Sequence, residues 1–170
     1  VDSALLQTWA YNDAGDLTES SDKEDDDGDG VWELNKTTTN TYDTEGRLTE
    51  KLVEMLAHPS PDGLYRHKTS HTYDSKGHAI ETSVEEDEKS DGSIDVLRLT
   101  KRTFNDAGLE VLGTSETDED ADGTIDGRSQ TSSTYNDDGT LLTEDFFIDN
   151  ENDQVWDYRK LIEMSYDTYG

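Results

Sequence analysis

Apolar side chains along this chain come singly or in short runs between polar residues, and nowhere keep the 3.6-residue period of an amphipathic helix. Stretches with strand character follow a glycine: Asp-Leu-Thr-Glu after Gly15, Arg-Leu-Thr-Glu-Lys-Leu-Val after Gly46, and Thr-Leu-Leu-Thr-Glu-Asp-Phe-Phe-Ile after Gly139. Thr-rich runs precede an aromatic residue, as in Thr37-Thr38-Thr39-Asn40-Thr41 before Tyr42 and Thr69-Ser70-His71-Thr72 before Tyr73. Thr and aromatic side chains suit a pleated surface. The pattern predicts strands and almost no helix.

These runs repeat. Tyr11, Tyr42, Tyr73, Phe104, Tyr135 and Tyr166 stand 31 residues apart. Each is followed by Asn or Asp and, four positions on, by a glycine: Gly15, Gly46, Gly77, Gly108, Gly139 or Gly170. The Asx side chain caps a type I turn, and Gly takes the positive φ of the bulge that closes it. Each repeat then holds two strands of roughly 8–11 residues and two connections. The expected fold is all-β: tandem two-stranded repeats in an extended antiparallel meander of about eleven strands, a curled or spiralling sheet with open ends. Residues 1–170 read as one array, with repeats 11–41, 42–72, 73–103, 104–134 and 135–165 and partial repeats at both ends. Val1-Asp2 matches Ile94-Asp95 and Ile125-Asp126, so the chain is expected to be a piece of a longer array. The columns Leu17, Leu48, Ile80, Val111, Leu141 and Trp32, Ile94, Ile125, Trp156 should form a thin apolar stripe.

Composition sharpens this picture. Only 29% of residues are hydrophobic, and 42 acids against 14 bases leave a net charge of −28, which by itself sits near the disordered class. A disordered tail has no reason to keep a 31-residue register, so the chain is expected to fold around little apolar material. The acidity argues against nucleic acid and anionic membrane, which need basic patches. It favours divalent cations or a salty medium, including a marine or halophilic source. No apolar run approaches the ~18 residues of a membrane span. Without cysteine there are no disulfides and no thiolate metal sites. The chain has no Gly-rich phosphate loop, no Cys nucleophile and no G-x-S-x-G, and no enzyme activity is expected.

The second connection of each repeat carries the chemistry. It reads D-x-D-x-D-G-x-x-D/E: Asp25, Asp27, Asp29 and Glu33; Asp118, Asp120, Asp122 and Asp126; Asp149, Glu151, Asp153 and Asp157. Alternate carboxylates turn inward, and the glycine gives the bend. So many carboxylates repel one another unless a cation sits among them. Ca²⁺ is favoured over Mg²⁺ because it accepts ~6–8 oxygens in loose geometry. In Asp87, Asp91 and Asp95 the pattern weakens, with Lys89 in a ligand position, and in Met55–Gly63 it is lost to Pro59 and Pro61. Met55 and Leu56 are either filler or a partner surface. His67 and His71 share one strand face and are a weaker candidate for a transition metal. Asn35-Lys36-Thr37 is a lone glycosylation sequon.

The acidic loops resemble those of EF-hands, dockerins and thrombospondin type 3 repeats. They lack the Glu of EF-hand position 12, where Lys36, Ser129 or Lys160 stands, and no flanking helices are predicted. The segment Tyr42-Asp43-Thr44-Glu45-Gly46-Arg47-Leu48-Thr49-Glu50 resembles the core of the YD repeat of Rhs-type proteins. That resemblance implies a large secreted or surface protein with the array as shell, stalk or adhesion surface. The expected role is an extracellular, calcium-stabilised structural segment of a stalk, filament, surface layer or adhesin, with a prokaryotic source. The alternatives are a module that binds a glycan or cell-surface protein, and self-association through open sheet edges.

Overall fold

The computed structural model describes residues 3–57, 64–88 and 91–166. Eleven strands follow one another: β1 (Ala4–Tyr11), β2 (Leu17–Asp25), β3 (Leu34–Tyr42), β4 (Leu48–Ala57), β5 (Leu64–Tyr73), β6 (Ala79–Asp87), β7 (Val96–Phe104), β8 (Glu110–Asp118), β9 (Gly127–Tyr135), β10 (Leu141–Asp149) and β11 (Tyr158–Glu163). They form one antiparallel sheet in sequence order, and no helix occurs among the described residues. The expected meander and strand count are both present. The loop around Pro59 and Pro61, Lys89, Val1-Asp2 and Gly170 lie outside the described residues.

Packing divides the chain into two compact units. The first comprises Val1–His71 with Ser83–Leu97. In it, β1 pairs with β2 from Ala4↔Asp25 to Tyr11↔Leu17, and β3 pairs with β4 from Leu34↔Ala57 to Tyr42↔Leu48. The second comprises Thr72–Thr82 with Arg98–Gly170. In it, β9 pairs with β10 from Arg128↔Asp149 to Tyr135↔Leu141. The ladders slip by one residue beside the aromatic, at Ala10/Tyr11 and Thr41/Tyr42, and the residue each ladder skips stands three past the turn glycine at which a bulge was expected.

The turns obey the chemistry of their residues. Asp43 Oδ1 accepts the N–H groups of Glu45 and Arg47, and Asn12 Oδ1 accepts those of Ala14 and Asp16. Gly46 N–H then donates to the Asp43 carbonyl at φ +77°. A methyl group at Gly46 would meet no atom within 4 Å, so only the backbone resists a side chain there. Gly46→Ala should therefore cost about 1–2 kcal/mol in urea unfolding.

Asp74 caps its turn in the same way and also receives a hydrogen bond from His78 Nδ1 at 2.9 Å. That bond, above all, pulls the Asp74 carboxyl down from 3.8 to about 2. A depressed folded value means the contribution is complete above 3.8 and fades as the pH falls through about 2. An NMR titration of the Asp74 carboxyl carbon should show this midpoint, and His78→Ala should return it toward 3.8.

The expected apolar stripe does not become a core. No hydrophobic side chain is buried among the described residues; Leu17, Leu48, Ile80, Val111 and Leu141 are half-buried. A single layer of sheet has no second layer to close over them. The repeats are tied instead by polar contacts. Tyr42, Tyr135 and Tyr166 each donate a hydroxyl hydrogen bond of 2.9 Å to the carbonyl of Leu17, Glu110 and Leu141, 25 residues back. The aromatic column thus reaches across to the preceding hairpin. Phe104 has no hydroxyl and stacks on His78, ring centres 4.6 Å apart. Removing one tether with Tyr135→Phe should cost about 0.5–1.5 kcal/mol by urea denaturation.

Candidate metal centre

Each acidic loop starts on the last residue of an outgoing strand. Asp25, Asp87, Asp118 and Asp149 end β2, β6, β8 and β10, and they are the only buried residues among those described. A carboxylate belongs in water unless something inside the fold wants its charge. The loop supplies part of that demand. One oxygen, Oδ2, accepts the N–H five residues on: Gly30 at 3.0 Å, Gly92 at 3.1 Å, Gly123 at 2.9 Å and Gln154 at 3.1 Å. That fifth residue has positive φ in every case, from 70° to 90°. The chain can curl back over the aspartate only through this conformation, which is why glycine recurs there.

The last carboxylate closes the loop from the other side. Glu33, Asp95, Asp126 and Asp157 accept the N–H of Asp26, Glu88, Glu119 and Asn150 at 2.6–2.8 Å. Their own N–H groups donate to the carbonyls of Glu24, Glu86, Thr117 and Ile148, just before the first aspartate. The middle carboxylates cap their own turns: Asp29, Asp91, Asp122 and Asp153 accept the N–H two residues on. These hydrogen bonds recur in all four loops, among the described residues.

They differ in what their carboxylates bring together. Asp25, Asp27, Asp29 and Glu33 each place a ligand oxygen within 4.8 Å of the others, as do Asp118, Asp120 and Asp126. A Ca²⁺ with ligands at about 2.4 Å spans oxygens up to about 4.8 Å apart, so both groups fit around one hard ion. Asp122 does not join its group, and no such group forms from Asp149, Glu151, Asp153 and Asp157 or from Asp87, Asp91 and Asp95. Oδ1 of Asp87, Asp118 and Asp149 is buried with no hydrogen-bond partner among the described residues. A buried ionised acceptor left unpaired costs about 1–3 kcal/mol or more. In Asp118 this oxygen belongs to a residue only 1% exposed that stands in one of the two groups.

One partner was not visible in the sequence pattern. Arg128, on β9, lies opposite Asp149 in the ladder. It donates Nε and Nη2 to Asp149 Oδ2 at 2.9 and 2.8 Å. Its guanidinium also lies over the Trp156 ring, 4.8 Å from the centre. The 21-residue spacing from Arg128 to Asp149 would have exposed this pair, but only once the ladder register was known.

The histidine candidate does not gather a metal set. His67 uses Nδ1 toward Tyr65 and Glu86 and Nε2 toward Thr69, all at 3.0–3.1 Å. No group of metal-ligating side chains among the described residues includes a histidine. The sequon residue Asn35 sits half-buried in β3, opposite Leu56.

Comparison with known proteins finds no matching family model and no matching curated protein.

Proposed function

We propose that this chain is a structural repeat array that works outside cells and is held folded by Ca²⁺ in its acidic loops. The observation that carries this is Asp118. Its carboxylate is buried, one oxygen is unpartnered, and Asp120 and Asp126 bring ligand oxygens within 4.8 Å. A cation relieves both the orphaned acceptor and the mutual repulsion. The group at Asp25, Asp27, Asp29 and Glu33 supports the same reading.

Location follows from mass action. Loops of this kind in extracellular modules bind with Kd of about 10⁻⁴–10⁻³ M, so they fill outside cells and stay empty in cytosol. A single sheet of tandem hairpins suits a stalk, filament, surface layer or adhesin, where length and stiffness are the product. The aromatic-Asx-x-x-Gly turn is common ground with YD-repeat shells, and a shell segment is compatible with the same geometry. The test is a metal count by native mass spectrometry after dialysis against millimolar Ca²⁺. At least two bound ions are expected; a metal-free protein would overturn the reading.

Self-association is a second reading, favoured by one observation. Large apolar groups stand exposed on two of the described strands: Leu5, Trp9 and Tyr11 on β1, Tyr158 and Leu161 on β11. Electron microscopy in Ca²⁺ separates filaments from monomers. Adhesion to a glycan or cell-surface protein would use the same exposed aromatics, and a glycan array tests it.

A further inference from the structure

The four acidic loops share the hydrogen bonds above and differ, among other positions, in the residue that stands 21 positions before their first aspartate. In the first and last loops that residue is the ladder partner of the aspartate: Ala4 faces Asp25 and Arg128 faces Asp149. Along the sequence the same position holds Ala4, Arg66, Leu97 and Arg128 ahead of Asp25, Asp87, Asp118 and Asp149. Carboxylates gather in the two loops preceded by Ala4 and Leu97. They do not gather in the two preceded by arginine.

The chemistry of Arg128 explains the difference at Asp149. Its guanidinium is fixed between the Asp149 carboxylate, at 2.8 Å, and the Trp156 ring. Asp149 is fully buried, so this cation sits where a metal ion would have its first ligand. A positive charge about 5 Å from a divalent ion lowers its affinity by at least about tenfold even at the dielectric of water. Asp149 Oδ1 nevertheless keeps no partner, so the loop stays open to an ion on that side.

We infer that Arg128 is a resident counter-ion that weakens the Asp149–Asp157 loop as a calcium site, so that Ca²⁺ goes first to the loops of Asp25 and Asp118. The residue facing the first aspartate then decides between a metal-held loop, as at Asp25, and one held by the protein's own charge, as at Asp149; Arg66 instead pairs with Glu54 at 3.8 Å. This inference rests on the calcium reading above and adds an order of filling to it.

The test is a Ca²⁺ titration of the full chain, followed by calorimetry and native mass spectrometry. The wild type should take two ions tightly. An ion that Asp149→Asn abolishes should bind at least about tenfold more weakly. In Arg128→Leu that ion should bind as tightly as the first two. Ala4→Arg, on the outer strand β1, should cost one tight ion. Equal binding at the Asp149 loop in wild type and Arg128→Leu would overturn the inference while leaving the calcium reading intact. Should Arg128→Leu fail to fold, Ala4→Arg decides, and two tight ions retained there overturn the inference. No ion bound by the wild type would overturn the calcium reading, and the inference with it.

Discussion

Chelating calcium should lower the melting temperature of this chain by about 10–20 °C. A ligand that binds only the folded form contributes about 2.7 kcal/mol per site at a hundredfold excess over Kd. Two loops gather four and three carboxylate ligands, and two filled sites would make about 5 kcal/mol together. For a chain of this length each kcal/mol moves the midpoint by about 2–4 °C. In most domains such a loss would eat into a large hydrophobic contribution. Here no hydrophobic side chain is buried among the described residues, so ions bound in these loops would carry an unusual share of a total that is typically about 5–15 kcal/mol. Calorimetric melts at that hundredfold excess, about 10–100 mM Ca²⁺ for a Kd of about 10⁻⁴–10⁻³ M, and in chelator check this. Equal midpoints would mean that the hairpins hold themselves.

Asp118→Asn should separate a ligand from a merely structural aspartate. The amide keeps the shape, and its oxygen can still accept the Gly123 N–H that now lies 2.9 Å from Oδ2. What disappears is the charge. Ca²⁺ affinity at that loop should fall at least about a hundredfold, because the metal loses its one buried anionic ligand. In calcium the variant should lose about 2–3 kcal/mol of stability, the worth of one filled site. In chelator the sign should vanish or reverse, since the substitution relieves repulsion with Asp120 and Asp126. Urea unfolding in the two conditions reads both numbers. Asp118→Ala, which also removes the acceptor for Gly123, should be destabilised in both.

The hairpins were legible in the sequence because their cause is local. An Asx cap, a glycine at positive φ and an aromatic at a fixed interval of 31 residues act within a few positions, and the structure places a turn at each described one. The acidic loops were legible for the same reason, as a run of alternate carboxylates ending in glycine. What the pattern could not show depends on register. That Asp118 is buried while Asp120 is exposed follows from the first being the last residue of β8. That Arg128 meets Asp149 follows from the pairing of β9 with β10. How deeply the thin apolar stripe is covered was not legible, because spacing along a strand says which residues share a face, not whether anything lies over that face. Leu17 and Leu141 both stay half-buried.

In the proposed array, cations seated on the first aspartate of the loops take the place of the greasy interior that this sheet lacks. A crystal structure grown in millimolar calcium, with anomalous difference maps, tests it most directly. Peaks should stand among Asp25, Asp27, Asp29 and Glu33 and among Asp118, Asp120 and Asp126, each about 2.4 Å from its carboxylate oxygens. Maps with no peak in either loop, in a chain folded as described, would contradict it.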